Sequence, residues 1–470
     1  MATEDARKAS LDEKSSGKEA EVAQDPVFER PTGLKGFYAH PRTQVAMLGF
    51  VCFMCPGLFN ALNGLGGGGQ LDSKTSANAN SAVYATFAFF AFFAGSINNK
   101  LGSRATLLLG TFGYALYVGS YLALNIHPNA GGFVIGAGAV LGISAGLLWA
   151  AQGSLMLAYP TEDQKGQFIS IFWTIFNLGA VIGAAVSLGL NFNSDGNSVG
   201  NGTYIAFLIL TGIGVAIPLL MIDPAKMVRT DGTRVTTSRH PSWKSELYGL
   251  YLVLRNDPWI FLLVPMFFAS NWFYTWQFNV YNGYMFDIKA RSLNNFLYWI
   301  AQIIGSIIMG FILDQKKIRR TTRAYVGWAI LFVAVWFIHI WSFFYQKDLV
   351  RPADPENDPF VKISIHTPGY AAKIILYFFF GMVDAIWQIT AYWLMGAMSN
   401  DPAKLAHMSG IYKALQSAGA AVAWRADAVG VSYSSLFIST WVLLIGGMIL
   451  VLPMIYLRVK DHTEPEDETL

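Results

Sequence analysis

Apolar residues along this chain gather into long continuous runs that are separated by polar connectors. Each run is about as long as the ~20 residues that a helix needs to cross a bilayer. In the first half of the chain the runs cover about 43–65, 79–98, 105–125, 132–157, 168–190 and 203–222. In the second half they cover about 259–281, 294–313, 324–345, 370–396, 405–425 and 433–457. The pattern predicts an all-α integral membrane protein with twelve transmembrane helices.

Two other structures would also bury such runs. A single run fits the core helix of a soluble protein, but twelve in succession would leave no soluble surface. A transmembrane β-barrel needs alternating apolar and polar positions, whereas these runs are continuous and rich in glycine, alanine and leucine. Composition agrees with the membrane prediction, because 53% of the residues are apolar and only 13% are charged.

Polar stretches divide the chain into parts. The longest interior one, residues 223–258, separates six apolar segments from six others and predicts a linker between duplicated halves at 43–222 and 259–457. Residues 1–42 mix charged and small polar types, which is typical of a disordered tail rather than of a signal peptide. Residues 458–470 form a short acidic tail.

The distribution of lysine and arginine predicts the orientation. Basic residues gather in the connectors after segments 2, 6 and 8, whereas the connector NFNSDGNSVGNGT after segment 5 has none. Because cytosolic loops carry the excess of basic residues, both termini are expected in the cytosol. The cytosolic face thereby accounts for the net charge of +3, and no nucleic-acid partner is expected.

Two similar connectors follow the second segment of each half, GSINNKLGSR and GFILDQKKIR. Such a connector has to turn tightly, which favours glycine, and to hold a polar contact with neighbouring helix ends. The alternative is a generic loop that is basic only because it is cytosolic. The candidate gating residues are Gly95, Asn99, Lys100 and Arg104 in the first connector and Gly310, Asp314 and Arg319 in the second.

A second internal similarity supports duplication. LLWAAQG in segment 4 matches GMVDAIWQ in segment 10, and FNLGAVIGAA in segment 5 matches LQSAGAAVAW in segment 11, which aligns Asn177 with Gln416. Small residues at these spacings predict that the helices approach closely.

Several stretches carry a family resemblance. LLWAAQGSLMLAYP, FWTIFNLGAVIGA, FFASNWFYTWQFNVYN and DAIWQITAYWLMGAMSNDPAKLAHMSGIYKALQSAGAAVAWR resemble the Unc-ninety-three-like branch of the major facilitator superfamily, particularly its fungal members. The resemblance covers nearly all of residues 43–457 and implies a twelve-helix fold of two six-helix repeats that rock about a central site. In the first gating connector, Asn99 replaces the family's usual aspartate.

Charged residues inside the apolar segments are candidates for function. A charge at the bilayer centre costs at least ~2.5–3.5 kcal/mol on insertion scales, so it is expected to face the protein interior. Asp384 lies near the middle of segment 10, and Lys413 lies about 12 Å into segment 11 at 1.5 Å per residue. We expect these two residues to form an ion pair that breaks and reforms as the halves rock. A static pair that fixes helix 10 on helix 11 is the alternative.

Uncharged polar residues in the other segments predict a polar central cavity, because an unpaired amide in a bilayer costs about 1–3 kcal/mol. Interhelical hydrogen bonds are the alternative for each residue taken singly. The candidates for the pathway are Asn60, Asn63, Gln152, Asn177, Asn271, Gln277, Asn279, Gln388 and Gln416.

Three further motifs have simpler interpretations. GLGGGG at Gly64–Gly69 lacks the strand and helix of a nucleotide loop and predicts a flexible outer connector. Cys52 and Cys55 lie in an apolar segment, where they are small packing residues. Asn201 begins a glycosylation sequon on the predicted outer face. No metal cluster, cofactor motif or catalytic spacing is visible, so an enzyme is not expected.

The sequence therefore predicts a multi-pass membrane protein, without fixing which membrane holds it. The favoured function is secondary transport of a small solute by alternating access, with Asp384 and Lys413 as the gating or coupling residues. The alternative is a non-transporting regulator or trafficking subunit that binds another membrane protein, such as an ion channel. The animal members of the Unc-ninety-three-like branch are described in those terms.

Overall fold

The computed structural model describes residues 28–29, 31–161, 164–194, 196–235, 242–315, 317–353, 357–398 and 402–461. The predicted disorder of residues 1–27 and the acidic tail beyond residue 461 lie outside the described residues. Within the remainder of the predicted N-terminal tail, a short helix covers Gly33–Tyr38, and the first long helix already begins at Pro41.

Every predicted apolar segment is helical. In the first half the helices are α1 Pro41–Gly64, α2 Lys74–Leu101, α3 Ser103–Ile126, α4 Gly131–Ala158, α5 Lys165–Asn191 and α6 Asn201–Leu220. In the second half α7 consists of the pieces Pro258–Leu263, Val264–Ala269 and Thr275–Tyr284. It is followed by α8 Ile288–Leu313, α9 Arg320–Gln346, α10 Tyr370–Met398, α11 Pro402–Ala428 and α12 Tyr433–Arg458. The prediction of an all-α membrane protein is confirmed.

Ten of these helices are long and apolar enough, among the described residues, to cross a membrane. The other two segments differ for physical reasons. Helix α7 is divided into 3₁₀, α and π pieces, so no single piece has the required length. Helix α11 is continuous over 27 residues, but its sequence includes Lys413, Arg425 and Asp427.

The first helix of each half departs from α geometry. In α1 a π-helical turn covers Phe53–Gly57 and contains Pro56, which has no backbone N–H to donate. In α7 the π-helical piece runs over ten residues, Thr275–Tyr284. Because π turns widen a helix and re-aim its side chains, they are common at functional sites. The π piece of α7 carries Gln277 and Asn279, which are both predicted pathway residues.

Close helix packing follows the predicted small residues. A Cβ atom on Gly179 of α5 would lie 2.4 Å from the backbone oxygen of Phe53 in α1. A Cβ atom on Gly419 of α11 would lie 2.0 Å from the backbone oxygen of Phe268 in α7. In each half, therefore, a glycine of the fifth helix lets it approach the backbone of the first.

The two ends of the helix bundle are distinguished below by position. The "terminal side" is the end at which α1 begins and α12 ends, and the "far side" is the opposite end, where the connectors 65–73, 192–200 and 347–369 lie. On the terminal side a linker helix, Trp243–Asn256, precedes α7 and meets its first pieces at an angle of 96°. The carboxylate of Asp257, just after that linker helix, forms an ion pair of 2.7 Å with Arg458 at the end of α12.

Candidate substrate pathway

Asp384 lies inside the second half and is 2% exposed. Its Oδ2 atom accepts hydrogen bonds from the hydroxyls of Tyr274 on α7 and Tyr298 on α8, both at 2.9 Å, and from the amide of Gln302 on α8. Its Oδ1 atom accepts a longer bond of 3.4 Å from Gln388, one turn along α10. Three helices thus supply donors to one carboxylate, which compensates for its removal from water.

Lys413 does not form the predicted ion pair with Asp384. Its ammonium group donates to Oε1 of Gln416 at 2.9 Å, and the amide of Gln416 donates to Oε1 of Gln388 at 2.9 Å. Gln388 then donates to Asp384, so two glutamines separate the charges. Lys413 is exposed, and its ammonium lies 5.6 Å from the ring centre of Tyr392. Asp384 on α10 and Lys413 on α11 therefore make their direct hydrogen bonds with different partners.

These residues form what we call the central polar cluster. Its remaining members are Asn271, whose Oδ1 accepts from Gln388 and Gln416, and Tyr412, whose hydroxyl donates to Gln388. Gln277 joins the edge of the cluster, because its Oε1 accepts from Tyr298 at 3.2 Å. The full membership is Asn271, Tyr274, Gln277, Tyr298, Gln302, Asp384, Gln388, Tyr412, Lys413 and Gln416.

The polar residues predicted for the first half do not join this cluster. Asn60 and Gln152 are half-buried and Asn177 is exposed, and none of the three bonds to a cluster member. All the cluster members come from α7, α8, α10 and α11. The predicted cavity residues therefore occupy different environments, and the concentration of polar contacts lies in the second half.

Asn63 and Asn279 lie at the far side instead. Oδ1 of Asn63 accepts from Asn80 at 3.3 Å within the first half. Asn279 connects the two halves, because its Oδ1 accepts from the backbone N–H of Gly67 at 2.7 Å and its Nδ2 donates to Asp427 at 2.7 Å. Asp427 also pairs with Arg351 at 2.5 Å.

The glycine-rich stretch after α1 is a packed element of the far side. Gly66, Gly67, Gly68 and Gly69 all have positive φ angles, between 54° and 83°, which side-chain-bearing residues rarely adopt. A Cβ on Gly68 would lie 2.2 Å from the ring of Tyr121. The stretch is buried, so its interpretation as a flexible connector is wrong. The glycines let the backbone present its carbonyl groups inward.

Arg291, at the start of α8, uses those carbonyl groups. It is 1% exposed, and its guanidinium donates to the backbone oxygens of Leu65 at 2.8 Å, Gly66 at 2.6 Å and Gln70 at 3.2 Å. It also donates to Asn197 O at 2.8 Å, in the connector between α5 and α6. All four acceptors belong to the first half, so this arrangement, called here the far-side latch, holds the halves together.

The gating connectors differ from their prediction in where they turn. Gly95 lies within α2 and Gly310 within α8, and a Cβ on Gly310 would meet nothing within 4 Å. The first connector turns instead at Gly102, whose φ is 78°. The hydrophobic pattern missed this because α2 continues through polar residues to Leu101.

The first connector does hold the predicted polar contact with a neighbouring helix end, and the residue that makes this contact is Arg104. Arg104 donates to the backbone oxygens of Pro218, at 3.0 Å, and Leu219 at the C-terminal end of α6. A cation at that end also interacts favourably with the negative end of the helix dipole. In the second connector Asp314 and Arg319 are exposed, and Arg323 donates to Leu313 O at 2.6 Å instead. Asn99 and Lys100 are exposed.

Asn201, the candidate glycosylation site, is the first residue of α6 and is exposed. Its Oδ1 accepts a hydrogen bond of 2.6 Å from Asn125 at the end of α3. Its modification stays a prediction.

Sequence reasoning missed Arg291, Tyr298 and Gln302. A signal for Arg291 exists in the sequence, because an arginine beside an apolar segment on the face with few basic residues is unusual. Tyr298 gave no such signal, since aromatic residues are abundant throughout the chain, at 15%.

The comparisons with known proteins agree with this architecture. The sequence profile described as Major Facilitator Superfamily matches residues 45–424. An UNC93-like protein of Schizosaccharomyces pombe is 44% identical over 432 residues, which cover 92% of this chain and 85% of that protein. The UNC93-like protein 1 of Arabidopsis thaliana is 37% identical over 429 residues, covering 91% of this chain and 92% of the relative.

Solved transporter structures share the fold. A D-xylose-proton symporter superimposes with a TM-score of 0.60 at 13% identity, covering 89% of this chain and 98% of the symporter. A POT family transporter in complex with 5-aminolevulinic acid gives a TM-score of 0.60 at 15% identity, covering 91% and 98% of the two chains.

Proposed function

Because the chain belongs to the UNC93-like proteins of the Major Facilitator Superfamily, we propose that it is a secondary transporter that moves a small solute by alternating access. The observation that carries the proposal is the central polar cluster. Apolar helices surround a carboxylate that takes donors from α7, α8 and α10 and a lysine that lies two glutamines away. Such intramembrane charges are costly and mark substrate or ion pathways.

The far-side latch supports the alternating-access part of the proposal. Alternating access requires that one side be closed while the other opens, and the contacts of Arg291 and Asn279 join the halves only near one end of the bundle. Arg104, Arg319 and Arg323 lie within or close to the connectors of the terminal side, so we propose that this side is cytosolic. The conformation described would then be closed to the outside.

In this proposal Asp384 and Lys413 are coupling residues that act through Gln388 and Gln416. The two charges are joined by a chain of four side chains, and such a chain breaks first at its weakest link. That link is the 3.4 Å bond between Gln388 and Asp384. If protons drive transport, Asp384 is the carboxylate of the central cluster that can carry one.

A second candidate function is regulation or trafficking of another membrane protein. Two observations favour it. The first half supplies no member of the central polar cluster, and Asn99 stands where the gating connector of the family usually has an aspartate. A regulator needs the fold but not a complete transport cycle.

The test is the accessibility of single cysteines from each side of the membrane. In a Cys52→Ala, Cys55→Ala background, the probe positions are Asn60→Cys on α1 and Trp272→Cys on α7, both half-buried. A membrane-impermeant maleimide would be applied from either side of oriented vesicles. Ile307→Cys, 67% exposed on the apolar surface of α8, is the matched control for reagent that enters through the lipid.

Labelling of both probe positions from both sides, with the control unlabelled, supports transport and justifies a substrate search. Labelling from one side only, under every solute and pH condition tried, contradicts alternating access and supports the regulatory candidate.

A further inference from the structure

A pocket of about 690 Å³ lies at the far side, next to the latch and about two turns or more of helix away from the central polar cluster. Both halves line it. Gln70 and Lys74 come from the first half, and Arg351, Lys362 and Arg425 come from the second. The pocket also includes Gly67 and Asn279, which are bonded to each other across the halves.

The carboxylates of this pocket already accept hydrogen bonds from the protein. Asp427 accepts from Asn279 at 2.7 Å and from Arg351 at 2.5 Å. One oxygen of Asp72 accepts from the backbone N–H of Lys74 at 3.0 Å, and one oxygen of Asp358 accepts from Phe360 N at 3.1 Å. Each of these acids therefore has a local donor on at least one of its oxygens.

Arg351 is neutralised by Asp427, but the hydrogen-bond acceptors of Lys362 and Arg425 among the described residues are neutral. Lys362 donates to the backbone oxygen of Tyr284, and its ammonium lies 4.5 Å from the ring centre of the same residue. Arg425 donates to Oδ1 of Asn78 at 2.6 Å. Both side chains keep donors in excess of these contacts, because an ammonium has three N–H groups and a guanidinium has five.

We propose that this pocket is a second ligand site, distinct from the central polar cluster. It binds a small organic anion, and the contacts are made by the carboxylate groups of that anion. Lys362 and Arg425 would supply the charge-assisted hydrogen bonds. Because the walls come from both halves, the anion binds best when the far side is closed and stabilises that conformation. The site would thus let an external metabolite slow the opening of the far side.

Lys362 makes the binding pH-dependent. Burial and, to a smaller extent, the nearby Arg291 of α8 lower the pKa of Lys362 to about 8, against the opposing effect of Asp358 in the same connector. Tyr284 of α7 faces the same ammonium. Since the charged form predominates below that pKa and is lost above it, anion affinity is expected to fall as the pH rises from 7 to 9.

The experiment is titration calorimetry of the full chain in lipid nanodiscs, with citrate as the anionic probe and choline as a cationic one. We expect citrate to bind at pH 7, and Lys362→Gln and Arg425→Gln each to weaken it about tenfold or more. Lys347→Gln, an exposed cation on the same side but outside the pocket, is the matched control and should bind citrate as the unaltered chain does.

The variant Lys362→Arg tests the pH dependence separately, because it keeps a positive charge at position 362. An arginine stays protonated at pH 9, so this variant should retain citrate binding there while the unaltered chain loses it. The proposal is overturned if citrate fails to bind at millimolar concentration, if choline binds in its place, or if Lys347→Gln weakens binding as much as Lys362→Gln. None of these readouts depends on transport, so they are independent of the proposed function.

Discussion

Asp384 and Lys413 are the two ends of one hydrogen-bonded chain of side chains rather than an ion pair. From Lys413 the bonds run to Gln416 at 2.9 Å, from Gln416 to Gln388 at 2.9 Å, and from Gln388 to Asp384 at 3.4 Å. Each charged side chain is therefore held in position by a hydrogen bond to a glutamine rather than by direct contact with the other charge. A carboxylate with its own tyrosine and glutamine donors does not need a nearby cation to be stable.

This relationship predicts that exchanging the charges will not restore function. An Asp384→Lys, Lys413→Asp double variant should fail as the single variants do, because Tyr274 and Tyr298 would then donate toward a lysine, which accepts no hydrogen bond. The measurement is the two-sided labelling of Asn60→Cys described above, with protein abundance recorded in parallel. Full recovery in the double variant would instead support a direct pair.

Removing the far-side latch should open the far side. Arg291→Gln loses several charge-assisted bonds, each worth ~1.5–3 kcal/mol, so exposure of buried far-side positions should rise tenfold or more. The measurement is the labelling rate of Leu62→Cys, which is fully buried in α1. Lys289→Gln, a half-buried cation two residues away, serves as control. Equal labelling rates in the two variants would show that Arg291 does not hold the halves together.

The glycine stretch predicts a difference between two alanine substitutions. Gly68→Ala combines a positive φ of 61° with a Cβ that would lie 2.2 Å from Tyr121, whereas Gly102→Ala has a φ of 78° and open space around it. Gly68→Ala incurs about 1–2 kcal/mol of strain in the left-handed helical region and adds a steric clash of about 1–3 kcal/mol, whereas Gly102→Ala, at a ψ of 154°, incurs about 1–3 kcal/mol of backbone strain alone. Gly68→Ala should therefore lower the melting temperature in detergent more than Gly102→Ala. Equal losses would mean that the tyrosine moves aside.

The ion pair between Asp257 and Arg458 predicts a large coupling on the terminal side. The side chains of Asp257 and Arg458 are 4% and 13% exposed, so Arg458→Gln removes a cation that lies 2.7 Å from a nearly buried carboxylate. Removal of one partner of a buried pair costs about 3–5 kcal/mol. Thermal unfolding of Arg458→Gln, Asp257→Asn and the double variant should show strong non-additivity. Arg255→Gln, an exposed cation at the end of the linker helix, should change little.

The sequence by itself determined the helices and the family. Continuous apolar runs predict membrane-spanning helices because a bilayer leaves backbone groups no partner but the helix itself, and this holds independently of the neighbouring helices. Charged residues such as Asp384 and Lys413 were visible because an intramembrane charge is rare in any context. Gly179 and Gly419 were also predictable as points of close approach, since glycine presents no side chain.

Only the tertiary structure decided which polar groups meet. Hydrogen bonds depend on angles and on distances of a few tenths of an ångström, and these are set by helix rotation and by the π turns of α1 and α7. Thus Gln388 and Gln416, rather than proximity of charge, connect Lys413 to Asp384. The acceptors of Arg291 are backbone carbonyls of a distant glycine stretch, and a carbonyl group carries no residue identity that a sequence pattern could reveal.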